Sequence, residues 1–279
     1  MESKQKETFI QLTTYFVLAY ATSWTIWFPL YGHIFGIPNL PILPYQHGLG
    51  GLGPMFASIL TTWIYFRKDG LKQLLQKSFQ LKPILYLLIA AFAPFLLVII
   101  SALIDANLNN SPFQIEKLLT VKEFPNFNLA TFFFYNLVFF GFGEEVGWRG
   151  FALPRFQNRN NALVAAILLT AFWAIWHWPL FFYRTGYTSM GLGGIVGWVL
   201  SLLTGSILFT WLFNSTKGSI FICAIFHSTV DVAFTADIAQ GNVANYLGAM
   251  ITIWGILTIL VFKPRNLANF QRQQTVDSY

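Results

Sequence analysis

The chain has 279 residues, of which 55% are apolar, 18% aromatic and only 10% charged, against about 25% charged in a soluble domain. That balance excludes a soluble globular protein and defines an integral, multi-pass membrane protein. The net charge of +6 is spread over short polar segments between apolar runs, and it gives no ground for a nucleic-acid partner.

Apolar runs long enough to cross a hydrocarbon core of ~30 Å lie near 9–31, 48–66, 83–106, 128–157, 162–183, 194–213, 219–236 and 244–262. They predict an all-α polytopic fold of about eight transmembrane helices, a single membrane domain over 1–279. The first run is too long for a signal-peptide core and no small-residue cleavage pattern follows it, so it is read as a retained span. Gly48 to Gly53 reproduces G-x-G-x-x-G, but it opens an apolar run instead of following a strand, which removes the dinucleotide reading. Segment 67–82 sets Leu71, Leu74, Leu75 and Phe79 at helical spacing among lysines, as in an amphipathic helix lying on the anionic cytoplasmic leaflet. Gly193 and Gly197 have the small-xxx-small spacing of close helix packing in lipid. The one cysteine, Cys223 in the seventh run, excludes an internal disulfide and reads as a packing residue.

With Arg149 set aside, thirteen of the remaining lysines and arginines fall on segments that are inside when the N-terminus is cytoplasmic; only Lys117, Lys122 and Arg184 fall outside. One missed span would scramble this bias, so span count and positive-inside rule support each other. The expected topology is N-in and C-in, in the cell membrane.

The fourth run is followed by Glu144-Glu145-Val146-Gly147-Trp148-Arg149. A charge at that depth costs roughly 2.5 to 3.5 kcal/mol on insertion scales. Glu145 and Arg149, at i and i+4 with the acid first, form a favourable ion pair. Glu144 points about 100° away and has Trp148 at i+4, which leaves it as the unpaired acid, suited to general acid or base work. The polar turn 157–161 separates Glu144 from His177. Both stand roughly 20 to 24 Å along antiparallel helices from that turn at 1.5 Å per residue, and His227 is roughly 16 Å beyond Lys217. The three therefore share a layer in the cytoplasmic half or near the midplane. His227 and Asp231 also share a helix face. Histidines so placed can activate water, stabilise an oxyanion or bind a metal. Glu144, His177 and His227 are a Zn2+ donor set by residue type, although no H-E-x-x-H is present, and the sequence leaves the cofactor open. Asp105 and Asp237 fall at outer boundaries and are read as wet; His33 and His47 are assigned no role.

The three motifs resemble those of the CPBP family, the type II CAAX prenyl proteases and bacteriocin-processing or immunity proteins with an ABI domain. E-E-x-x-x-R is matched by Glu144, Glu145 and Arg149, F-x-x-x-H by Trp173 and His177, and H-x-x-x-N or D by His227 and Asp231. The likeness covers 128–236. It implies a catalytic core in which Glu144, helped by His177, activates the attacking water, His227 and Asp231 stabilise the oxyanion, and Glu145 with Arg149 holds the helix. It implies an endopeptidase acting on membrane-associated or lipidated peptides and proteins at the bilayer, with its cavity toward the cytoplasm. Asp231 stands where Asn would donate to an oxyanion, and an ionised Asp only accepts. Its expected part is then to be protonated, to orient His227 or to help hold a metal. The alternative functions are a non-proteolytic immunity protein or scaffold of the same fold, and a small proton-coupled transporter. The terminal Val276-Asp277-Ser278-Tyr279 carries no CAAX cysteine.

Overall fold

Long apolar stretches with their polar residues confined to the ends fold as helices in lipid, because every backbone N–H and C=O must be satisfied inside the segment. The computed structural model describes residues 2–275, and no strand occurs among them. Met1 and the terminal tetrapeptide Val276 to Tyr279 lie outside the described residues.

Each predicted run falls on a helical stretch: α1 (Glu2–Tyr31), α2 (Gly53–Ser78), α3 (Ile84–Asn109), α4 (129–157), α5 (Ala162–Trp176), α6 (Leu192–Ser215), α7 (Ile220–Thr235) and α8 (Asn242–Asn266). Gln46–Ser78, Ile84–Asn109, Ala162–Tyr183, Leu192–Ser215 and Asn242–Asn266 are long and apolar enough to cross a membrane, and Ile220–Thr235 is a shorter apolar helix. Three helices start on side-chain caps. Asn128 Oδ1 accepts from Thr131 N–H at 2.9 Å, Asn161 Oδ1 from Val164 N–H at 2.8 Å, and Ser219 Oγ from Ile222 N–H at 3.1 Å. Each cap satisfies one of the orphan donors of a first helical turn.

The fourth stretch is not a uniform α-helix. A short α segment, Gly143–Gly147, is flanked by π-helical turns at Leu137–Phe142 and Trp148–Ala152. Such turns are frequent at functional sites, where they re-aim side chains. The Gly48 to Gly53 segment, which runs from a short helix (Gln46–Gly51) into α2, is the ledge on which this stretch rests. A Cβ on Gly51 would stand 2.6 Å from the Phe139 carbonyl oxygen, and one on Gly143 would stand 2.7 Å from that of Gly51. The glycines there are packing residues, as expected once the dinucleotide reading is removed.

Gly193 and Gly197 are a correction. A Cβ at either would meet nothing within 4 Å, so they do not mediate helix packing; both line a cavity. Where α6 and α8 do touch, the close approach is at Gly255, whose Cβ would lie 2.8 Å from Thr204. Asp105 is another. It is buried, and its Oδ1 accepts from Asn109 Nδ2 at 2.8 Å. Cys223 is fully buried.

The two ends of the bundle differ. At one, the turns after α4 and α6 are joined by reciprocal Gln157–Asn214 amide bonds of 3.1 and 2.8 Å, and the chain after α8 adds Gln273 N–H donating to Asn214 Oδ1 at 3.0 Å. On this end α2 breaks at Arg67 (φ 53°) and α8 at Lys263 (φ 63°). The break at Arg67 separates the membrane part of α2 from the predicted amphipathic stretch, in which Leu74 is buried while Leu75 and Phe79 are exposed. At the other end lie the loops 110–128, 177–191 and 236–241. Arg184 and Glu123 form a two-pronged ion pair there, with Nη2 to Oε2 at 2.7 Å.

Candidate active site

The acidic pair, both histidines and Asp231 do meet. They converge around the floor of a cavity of about 1020 Å³, lined in part by Glu144, Trp173, His177, His227 and Asp231. Glu144 and His227 are buried at 3% and 6% exposure, and Glu145 and Arg149 are fully buried.

Glu145 and Arg149 pair as the sequence predicts, Arg149 Nη1 donating to Glu145 Oε1 at 2.9 Å. The guanidinium lies over the Phe209 and Trp173 rings, 4.2 and 4.9 Å from their centroids. Stacking on aromatic faces is a favourable setting for a desolvated arginine. Yet Glu145 does more than hold the helix. The same Oε1 is 2.7 Å from His227 Nδ1, so the ring is oriented by the acid expected to serve only the arginine. A carboxylate on Nδ1 fixes the tautomer and aims Nε2 outward, the arrangement used wherever a histidine must present one nitrogen to a reacting group.

His227 Nε2 is 4.0 Å from Glu144 Oε1 and 3.6 Å from Asp231 Oδ2. Both are too long for direct hydrogen bonds and suit a group or water set between them. Glu144 is not free of partners either. Its Oε2 accepts from the indole N–H of Trp148 at 3.1 Å and from that of Trp173 at 2.7 Å. Two donors on one oxygen anchor the carboxylate and leave Oε1 toward His227 and the cavity. The i+4 residue that lacks a charge therefore still holds the acid, through a ring nitrogen.

His177 caps the end of α5. Its Nδ1 is 2.8 Å from the Trp173 carbonyl oxygen, which can only accept, so Nδ1 carries the proton and Nε2 is free. No hydrogen bond or ion pair joins His177 to Glu144. The two share the cavity wall, and any cooperation between them runs through what the cavity holds. His47, to which the sequence assigned no role, lines the cavity, with Nδ1 2.7 Å from Tyr183 Oη. Buried Asn136, two turns before Glu144, lines it as well and donates its amide to the Phe132 carbonyl at 2.9 Å. Neither carries a motif. Asn136 alone had a signal, an amide in an apolar run.

The Zn2+ donor set does not fit. Among the described residues no three His, Cys, Asp or Glu side chains are spaced to hold a metal ion.

The cavity lining includes residues of the 110–128 and 177–191 loops besides residues of α1, α4, α5, α6, α7 and α8; none comes from the turns at 157–161 or 215–219 or from the segment after α8. Glu144 and His177 thus lie toward the end opposite the basic residues.

The chain is thus a multi-pass helical protein with a carboxylate, two histidines and an orienting acid around one cavity. Residues 126–233 match the family described as Type II CAAX prenyl endopeptidase Rce1-like. Over 73 residues the chain is 36% identical to the CAAX prenyl protease 2 of Methanococcus maripaludis, an alignment covering 25% of this chain and 27% of that protein. The likeness to that family is confined to this core, and the chain spans about 27% of the length of the curated relative it matches.

Proposed function

We propose that this chain is an intramembrane endopeptidase that cleaves membrane-associated peptide or protein substrates in the cavity above Glu144 and His227. The observation that carries the reading is the facing pair of unengaged atoms, Glu144 Oε1 and His227 Nε2, 4.0 Å apart in that cavity. Glu144, held through its other oxygen by Trp148 and Trp173, takes a proton from water as the water oxygen bonds to the scissile carbonyl carbon. The carbonyl oxygen becomes an oxyanion, and His227, in its doubly protonated form, donates to it through Nε2. Such donors act strongly where water is excluded. Glu145 positions His227 through Nδ1, and Asp231, an acceptor facing Nε2, is its counter-ion; this removes the need for a donating Asn at position 231. Glu144 then passes its proton to the amide nitrogen as the C–N bond breaks. His177 Nε2 helps to place the water.

The family likeness and the relative's name bring prenylated C-terminal peptides into view as one substrate class, and lipid-anchored peptides more generally fit an opening within the bilayer. The test compares the membrane peptidome of cells carrying the native chain with that of cells carrying Glu144→Gln. Peptides released only by the native chain are the products. Glu144→Gln, His177→Ala and His227→Ala are each expected to abolish their release at unchanged membrane levels. Normal release by all three variants refutes the reading and leaves an immunity or scaffold protein.

A further inference from the structure

The cavity reaches the end of the bundle that carries the 110–128 and 177–191 loops, and the charge of the chain says which side of the membrane that end is on. The lining residues Glu123 and Thr235 are exposed and Arg184 partly so, while Glu144 and His227 are buried. The cations on that end are Lys117, Lys122 and Arg184, and Arg184 is neutralised by Glu123. Lys122 Nζ donates to Gln240 at 3.2 Å. The opposite end carries thirteen lysines and arginines. It is also where α2 and α8 break, at Arg67 and Lys263, each beside further basic residues, as where helices leave an apolar slab for a headgroup layer. Lysines and arginines in short loops are retained on the cytoplasmic side and are attracted by its anionic leaflet. A bias of this size fixes the basic end inside, and the helices between place the mouth outside.

We propose that the active-site cavity opens on the non-cytoplasmic face and that its substrates are extended segments of exported or outer-leaflet-anchored polypeptides, not the tails of cytosolic proteins. The cleavage itself rests on the function proposed above; the orientation does not. About 1020 Å³ is at or beyond the upper end of the roughly 300–1,000 Å³ of small-molecule pockets, which suits a stretch of chain. The α6 wall presents Gly193 and Gly197, at neither of which a Cβ would meet an atom within 4 Å, so a backbone can lie close against it.

Two variants of the full chain read the orientation alone. Gly186→Cys puts a thiol at the mouth, where nothing lies within 4 Å of a Cβ; Lys68→Cys puts one on the basic end at an exposed position. The native chain, whose Cys223 is buried, is the blank. A membrane-impermeant maleimide is applied to sealed right-side-out vesicles and to the same vesicles opened with detergent, and the sealed-to-opened labelling ratio is measured. Gly186→Cys is expected to label as fully sealed as opened, and Lys68→Cys to lose its labelling when sealed. Equal ratios, or a higher ratio for Lys68→Cys, overturn the proposal. Neither outcome touches the Glu144→Gln comparison, so the two ideas fail separately. In that comparison the released peptides are expected to derive from exported sequences; products from cytosolic proteins alone also overturn this assignment.

Discussion

Replacing Trp173 by Phe removes one hydrogen bond and keeps a ring. In the native chain the Trp173 indole N–H donates to Glu144 Oε2 at 2.7 Å, the shorter of the two bonds on that oxygen. A hydrogen bond to a charged group is worth about 1.5–3 kcal/mol, and about 1.4 kcal/mol is a factor of ten in rate. If that bond fixes the carboxylate for proton transfer, kcat should fall by about tenfold to a hundredfold, with KM nearly unchanged because Trp173 acts through Glu144. The matched control is Trp176→Phe. Trp176 is as buried, at 1% against 5% exposure, but its indole donates to Ser23 Oγ at 2.8 Å. Both substitutions open a similar void and should lower thermal stability in detergent alike; only Trp173→Phe should cost kcat. The assay is steady-state cleavage of a peptide released by the native chain, alongside a melting curve for each variant. Equal kcat losses in the two variants, or none at position 173, would refute the view that this tryptophan holds the acid.

The neighbouring acids should separate in the same assays. Glu144→Gln keeps an oxygen for both indoles and should fold normally while losing about 10²- to 10⁴-fold in rate; Glu145→Gln leaves the fully buried Arg149 without its anion and should cost about 3–5 kcal/mol, seen as loss of folded protein. Gly50→Ala sets a Cβ 2.0 Å from Trp27 Nε1 and should destabilise by roughly 1–3 kcal/mol, measured by thermal unfolding, whereas Gly197→Ala, with open space around it, should leave the melting temperature unchanged and act only on cleavage. Because Glu144, His177 and His227 are not spaced as metal ligands, cleavage by purified protein should survive prolonged chelation, and loss restored by Zn2+ would contradict the reaction drawn above.

The helices were legible because the bilayer imposes one rule on every segment, apolar length, and the sequence obeys it from 9 to 262. The convergence of Glu144, His177 and His227 was legible for a similar reason: antiparallel helices joined by short turns place residues at equal depth by counting. Which partner each group takes was not, because that depends on helix rotation and on side chains without motif character. Ideal phase assigned Glu145 to Arg149, and that pair formed at 2.9 Å. It could not show that the π turns on either side of Gly143–Gly147 leave the same oxygen 2.7 Å from His227 Nδ1.

Trp173 shows the limit of reading by residue class. In sequence it is an aromatic where the family pattern has Phe, and that likeness hides a donor that Phe lacks, the indole N–H, which here bonds the acid. The cavity's side was hidden in another way. Counting gave equal depths but no direction, since a layer roughly 20 to 24 Å from one set of turns in a core of ~30 Å belongs to the far half only once a mouth is seen there. Glu123, Arg184 and Thr235 line the cavity at that end, and with them the same basic residues that predict the topology support the outward opening proposed above over the cytoplasmic one the family likeness implied.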